Sequence, residues 1–287
     1  MEISEILTPY IREIGLEGPI EYELGDGLIG CVFDPEERKH KVFYHSKVDQ
    51  RSLEEFDPNR PYLANFIHEF CHLRLAEQID PSFAVIEVIG VDKEKALFYT
   101  IENGLVDIWA NDLFNTHFPD LFRAHHSNYA GRVRAFIESK TWGHLLPPAL
   151  PYALGKNTAE SRRYELKEVD FRRKLRQAGF TSKTVRSQAG KDLARVFGPA
   201  YISRYRIYTI EQLWDHLRRE RGEPEPRTME YISHIAQFLS DVPEIPRSRA
   251  EAQELHEEMI NGFASIVRLP LNAKLVDQKP RPTWYLG

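Results

Sequence analysis

Apolar positions along the first part of the chain follow two rhythms. Ile3, Ile6, Leu7, Tyr10, Ile11 and Ile14 recur at helical spacing and predict an amphipathic helix over residues 3–14, stopped by Gly15, Gly18 and Pro19. Three strand-like runs follow: Ile20–Leu24, Leu28–Phe33 and Lys41–His45. Gly25-Asp26-Gly27 reads as a hairpin turn between the first two, and Asp34-Pro35 opens a charged loop before the third. A small antiparallel sheet is therefore expected. From Pro61 to about Ala76 the pattern is helical again, a further strand is expected at Phe83–Ile89, and a long helix runs from about Lys93 to Phe118. Everything after Pro119 reads as helical and loop-rich, with amphipathic helices around Met229–Leu239 and Arg249–Val267. Pro147-Pro148 and Pro151 mark a boundary, so the expected division is 1–146 and 147–287 within an α+β fold.

The 287 residues are 42% hydrophobic and 28% charged, enough for a self-sufficient core. A formal net charge of -5 excludes a general polyanion binder, although the charge is unevenly spread. Residues 155–222 are rich in base, with Arg162-Arg163, Arg172-Arg173-Lys174 and Arg218-Arg219 among others. Glu160, Glu165, Glu168 and Asp170 interleave with them, so solvated helix faces are the first reading and a nucleic-acid or acidic-partner surface the alternative. Cys31 and Cys71 make neither a disulfide framework nor a four-thiolate site, and are expected as buried reduced thiols. The acidic start lacks the features of a signal peptide, and no apolar run approaches the roughly 18 residues that span a bilayer. A cytoplasmic location without membrane contact is expected.

The chemistry concentrates in His68-Glu69-Phe70-Cys71-His72, an H-E-x-x-H sequence. On a helix, positions i and i+4 project from one face, so both imidazoles can reach one zinc ion. Glu69 then points toward the coordinated water and can accept its proton as the water attacks a polarised carbonyl. The flanking Phe66, Ile67, Phe70, Cys71 and Leu73 are uncharged, so the helix is expected to be buried. Two imidazoles and a carboxylate there are costly unless something pairs with them.

A catalytic zinc needs a third protein ligand. At about 100° per residue, Leu97, Phe98, Ile101, Leu105, Ile108 and Trp109 define one apolar face of the second long helix, with Glu102 on or beside it and Asp107 opposite. That periodicity favours Glu102, unless the helix is buried on both sides. The run Asp107-x-x-Ala110-Asn111 resembles the E-x-x-A-N/D segment that follows H-E-x-x-H in gluzincin and minigluzincin families, including the ImmA/IrrE regulatory peptidases. It is more similar still to the pattern of zincin-like metallopeptidases associated with von Willebrand A domains. The resemblance covers about residues 60–115. It implies a zincin-like metallopeptidase domain over 1–146, with Asp107 as the third ligand, followed by a helical C-terminal region of unknown role. Asn111 is either an outer partner of the metal site or a surface amide.

The expected activity is that of a zinc peptidase acting on a peptide or protein substrate, with Glu69 as general base. A regulatory protein of the ImmA/IrrE kind, or a non-catalytic metal-binding protein, are the other classes. His117, His125, His126, Tyr129, Trp142 and His144 are candidate donors to a developing oxyanion, with His125-His126 the first pair to test. Cys71 is expected to pack and not to ligate.

Overall fold

Leu7 and Ile14, on one stripe of the predicted first helix, are buried in helix α1 (Ile3–Ile14). The helix ends at Gly15, whose φ of 74° is the left-handed conformation that glycine adopts without a Cβ penalty. There Leu16 N–H donates to the Ile11 carbonyl at 3.2 Å and Gly15 N–H to that of Arg12 at 3.0 Å, which closes the last turn and redirects the chain. The computed structural model describes residues 3–25, 29–54, 61–84, 87–125, 158, 237–266, 271–276 and 282–287.

Strands β1 (Ile20–Leu24), β2 (Gly30–Asp34) and β3 (Lys39–Tyr44) form a sheet in the order β1-β3-β2. β2 and β3 are the expected antiparallel pair, but β1 lies parallel to β3, so the sheet is mixed. β1 and β2 are not neighbours, and Asp26 and Gly27 of the expected hairpin turn lie outside the described residues; Gly25 N–H donates to the Tyr44 carbonyl at 2.8 Å and extends the β1–β3 ladder. Charge is matched across this pair. β1 offers Glu21 and Glu23 to β3, where Lys39 meets Glu21 at 3.0 Å and Lys41 meets Glu23 at 3.1 Å. Such exposed pairs add little stability, but they discriminate between registers.

After the short helix α2 (Gln50–Glu54), helix α3 (Tyr62–Gln78) is buried around most of its circumference, as its uncharged residues predict. Phe66 packs between Tyr22 and Tyr44 of the first sheet. Phe70, Cys71 and Leu73 are fully buried. The chain then makes a 3-10 turn at Pro81–Phe83 and a short strand β4 (Glu87–Ile89), where a longer strand is expected from the sequence. Helix α4 (Asp92–His117) packs on α3. Ile101, Leu105, Ile108 and Trp109 are buried, and so are Val106 and Ala110 off that stripe, so its core face is wider than one stripe.

The C-terminal residues return to this core. Helix α5 (Arg249–Ile266) packs on α4, and strands β5 (Ala273–Val276) and β6 (Thr283–Leu286) complete a second mixed sheet, order β4-β6-β5. β6 lies parallel to β4 and antiparallel to β5, and Trp284 is buried against Phe98 of α4 with ring centroids 5.0 Å apart. The region after Pro119, expected to be helical and loop-rich, also contributes two short strands in the last fifteen residues. The boundary near residue 147 lies outside the described residues. Beyond it, α5 packs on α4 and β6 pairs with β4. The fold is α+β, and among the described residues no helix is long and apolar enough to cross a membrane.

Candidate metal centre

His68 and His72 stand one turn apart on α3, and the face they share meets α4 at Asp107. His72 Nε2 lies 3.2 Å from His68 Nε2 and 3.1 Å from Asp107 Oδ1, and His68 Nε2 lies 3.4 Å from the same oxygen. Four ligands at about 2.0–2.1 Å from a tetrahedral zinc stand roughly 3.3–3.4 Å apart. The three atoms therefore span nearly the face of such a tetrahedron. Among the described residues these three form the cluster fit to hold a metal. The Asp107 side chain is 29% exposed, so the site opens to solvent on one side, where a fourth ligand can enter.

Protonation makes the convergence informative. His72 Nδ1–H donates to the Phe83 carbonyl at 3.0 Å, since that oxygen can only accept. The neutral ring then directs a bare lone pair from Nε2, the tautomer a metal requires. A lone pair aimed at a carboxylate oxygen and a second imidazole nitrogen is repulsive unless a cation sits among them. Without a metal that cation is a proton. Burial lowers the His68 pKa, but the Asp107 carboxylate, with smaller contributions from Glu69 and the Asn111 hydrogen bond, raises it above the ordinary value. Burial works equally against ionised Asp107, yet the two imidazoles hold it well below the usual carboxylate range. The residues fit a divalent cation by donor set and by spacing.

Glu69 is half-buried and is not one of the converging atoms. Cys31, which alternation in β2 turns inward, is the nearby thiol that feels the charge of its carboxylate; burial and this carboxylate push the thiol well above its usual range. Glu102, the ligand favoured by periodicity, lies outside the cluster. Burial pushes its carboxyl up to about 7, partly countered by His72 and reinforced by Asp107. Asn111, left open by the sequence, is buried with its side chain hydrogen-bonded to His68. Cys71 is fully buried and outside the cluster.

Of the candidate oxyanion donors, His125 is buried beside Phe114 of α4 and His117 ends that helix near Glu13. His126, Tyr129, Trp142 and His144 lie outside the described residues, as does the basic segment 155–222 except for Thr158. The contributions of Cys31 and the Phe83 carbonyl were not anticipated. The first had a signal in the inward phase of β2; the second is a backbone atom and had none.

The two carboxylates on α4 make a direct comparison. Asp107→Asn keeps the shape and removes the charge, and zinc affinity measured by chelator competition is expected to fall well beyond the ~10–100-fold typical of an outer partner. Glu102→Gln is expected to stay within that range. A larger loss in Glu102→Gln would reverse the assignment.

No family model matches the chain, and no curated protein or solved structure matches it.

Proposed function

We propose that the protein is a zinc-dependent metallohydrolase that cleaves peptide bonds, with His68, His72 and Asp107 as the metal ligands. The observation that carries this reading is the near-tetrahedral convergence of two imidazoles from an H-E-x-x-H helix and a carboxylate from α4. Zinc at that point supplies a Lewis acid that polarises a carbonyl and makes water a nucleophile near neutral pH. The chain supplies the rest. Phe83 and Asn111 orient the two imidazoles through hydrogen bonds. Asp107 lowers the net charge at the site. Glu69 accepts the proton of the attacking water and passes it to the departing amine. Cys31, buried and held neutral near Glu69, adds no competing charge beside that carboxylate. A glutamate directly after the first histidine favours zinc hydrolysis over the nonhaem iron chemistry that shares this ligand set.

The substrate class is a peptide or protein, and the location proposed is the cytoplasm, in keeping with two free buried thiols. Incubation with a chelator is expected to abolish hydrolysis of a fluorogenic peptide library, and equimolar zinc to restore it. Hydrolysis that survives complete zinc removal would defeat the proposal. Zinc binding without turnover on any peptide would leave a metal-binding protein of another kind.

A further inference from the structure

The C-terminal helix reaches the metal centre through a strip of polar residues on an otherwise apolar face. Arg249, Gln253 and His256 follow one another at i, i+4 and i+7 on α5, and all three bond the turn that precedes the Phe83 carbonyl. Arg249 Nε meets Asp80 Oδ2 at 3.0 Å, and Gln253 Nε2 donates to the same oxygen at 2.9 Å. His256 Nδ1 and Ser82 Oγ share a hydrogen bond of 2.8 Å. Within the turn, Ser82 N–H donates to Asp80 Oδ1 at 2.8 Å. Asp80, Ser82 and His256 are all buried, while Ala252, Met259, Ile260 and Phe263 fill the rest of the face.

His256 is hard to explain as packing alone. Its ring lies 4.7 Å from that of Phe83 and 4.9 Å from that of Trp109, which stands two residues past Asp107. It thus wedges between the turn that orients His72 and the helix that carries the third ligand. An apolar ring would fill the same space without burying two nitrogens. Nε2 has no hydrogen-bond partner among the described residues, so the bond to Ser82 is the polar work His256 does there. Burial, reinforced by His72, pushes its pKa down to about 3, so it stays a neutral, fixed spacer at physiological pH.

We infer that α5 is a clamp on the metal centre, with His256 a positioning residue that acts through Ser82 and the Phe83 carbonyl to set the orientation of His72. The inference rests on the zinc reading above and assigns a task to the C-terminal region. Outer partners of a metal-bound histidine typically contribute 10–100-fold in affinity, and a group one bond further out is expected to contribute roughly tenfold.

Four full-length variants test it, each read by zinc affinity, by the visible spectrum of the cobalt-substituted protein, and by thermal stability. Ser82→Ala and His256→Phe remove the bond from either side, and each is expected to weaken zinc binding about tenfold and to alter the cobalt ligand-field bands. His256→Asn, which can offer an oxygen near the position of Nδ1, is expected to bind zinc more tightly than His256→Phe despite packing less well. Ile260→Ala lowers the stability of the same helix without touching the polar strip, and is expected to leave affinity and spectrum unchanged. Unaltered affinity and spectrum in both Ser82→Ala and His256→Phe would overturn the clamp. So would an equal loss in Ile260→Ala, since affinity would then merely follow stability. If the wild type itself binds no zinc or cobalt, the metal reading fails first, a result distinguishable from either.

Discussion

Replacing His72 with alanine is expected to strip the protein of stoichiometric zinc and, with it, of all hydrolysis. The residue supplies one of three converging atoms, and its Nδ1–H also engages the Phe83 carbonyl. Its loss leaves His68 and Asp107 as a two-ligand site and a buried carbonyl without its donor. The effect should exceed by a wide margin the ~10–100-fold change typical of outer partners. Because His72 is buried, misfolding must be separated from loss of the metal. Thermal unfolding with and without zinc does so. A ligand at a hundred times its dissociation constant stabilises the native state by about 2.7 kcal/mol, on the order of 5–10 °C for a domain of this class. The wild type is expected to show that shift and a folded His72→Ala protein to show none. His68→Ala, altering a more accessible side chain, should behave in the same way.

Glu69→Gln is expected to separate metal binding from chemistry. The carboxamide keeps the size and shape of the side chain, but it cannot take a proton from water. Zinc should remain at about one ion per chain, while turnover falls by roughly 10²–10⁴-fold, the usual contribution of a positioned acid–base group. At about 1.36 kcal/mol per factor of ten, that is about 3–5 kcal/mol of transition-state stabilisation. Steady-state kinetics and metal analysis on one preparation check both halves. Near wild-type turnover would remove Glu69 from the mechanism, and loss of zinc would make it a ligand.

Local pattern carried the elements that bear the site. The helical rhythm of Ile3 to Ile14 matches α1, and the uncharged residues around His68 predict the burial of α3. The limits expected for α4 and α5 fall within a residue of those observed. Pairing was harder to read, because a turn signal reports local chemistry and not which strand comes to lie alongside. Gly25 could close a hairpin, but β1 pairs with β3, where its acids meet lysines. The second sheet was hidden for another reason. β4 has three residues, and its partner β6 lies at the far end of the chain, so no local window contains the pair.

The same division runs through the site. His68 and His72 follow from spacing on one helix. For the third ligand, resemblance pointed to Asp107 and periodicity to Glu102, and Asp107 is the one beside the imidazoles. Periodicity pointed away from Asp107 because it assumed one buried stripe, whereas α4 also buries Val106 and Ala110, and the position opposite the stripe meets α3. Ser82 and His256 are 174 residues apart, and nothing near either announces the bond between them.

Anomalous scattering on either side of the zinc absorption edge, from crystals of the protein purified without added chelator, tests the central claim most directly. The expected result is one strong peak per chain, about 2.0–2.1 Å from Nε2 of His68, Nε2 of His72 and a carboxylate oxygen of Asp107. No peak at that position in crystals grown with excess zinc, or a peak held by other residues, would contradict the account.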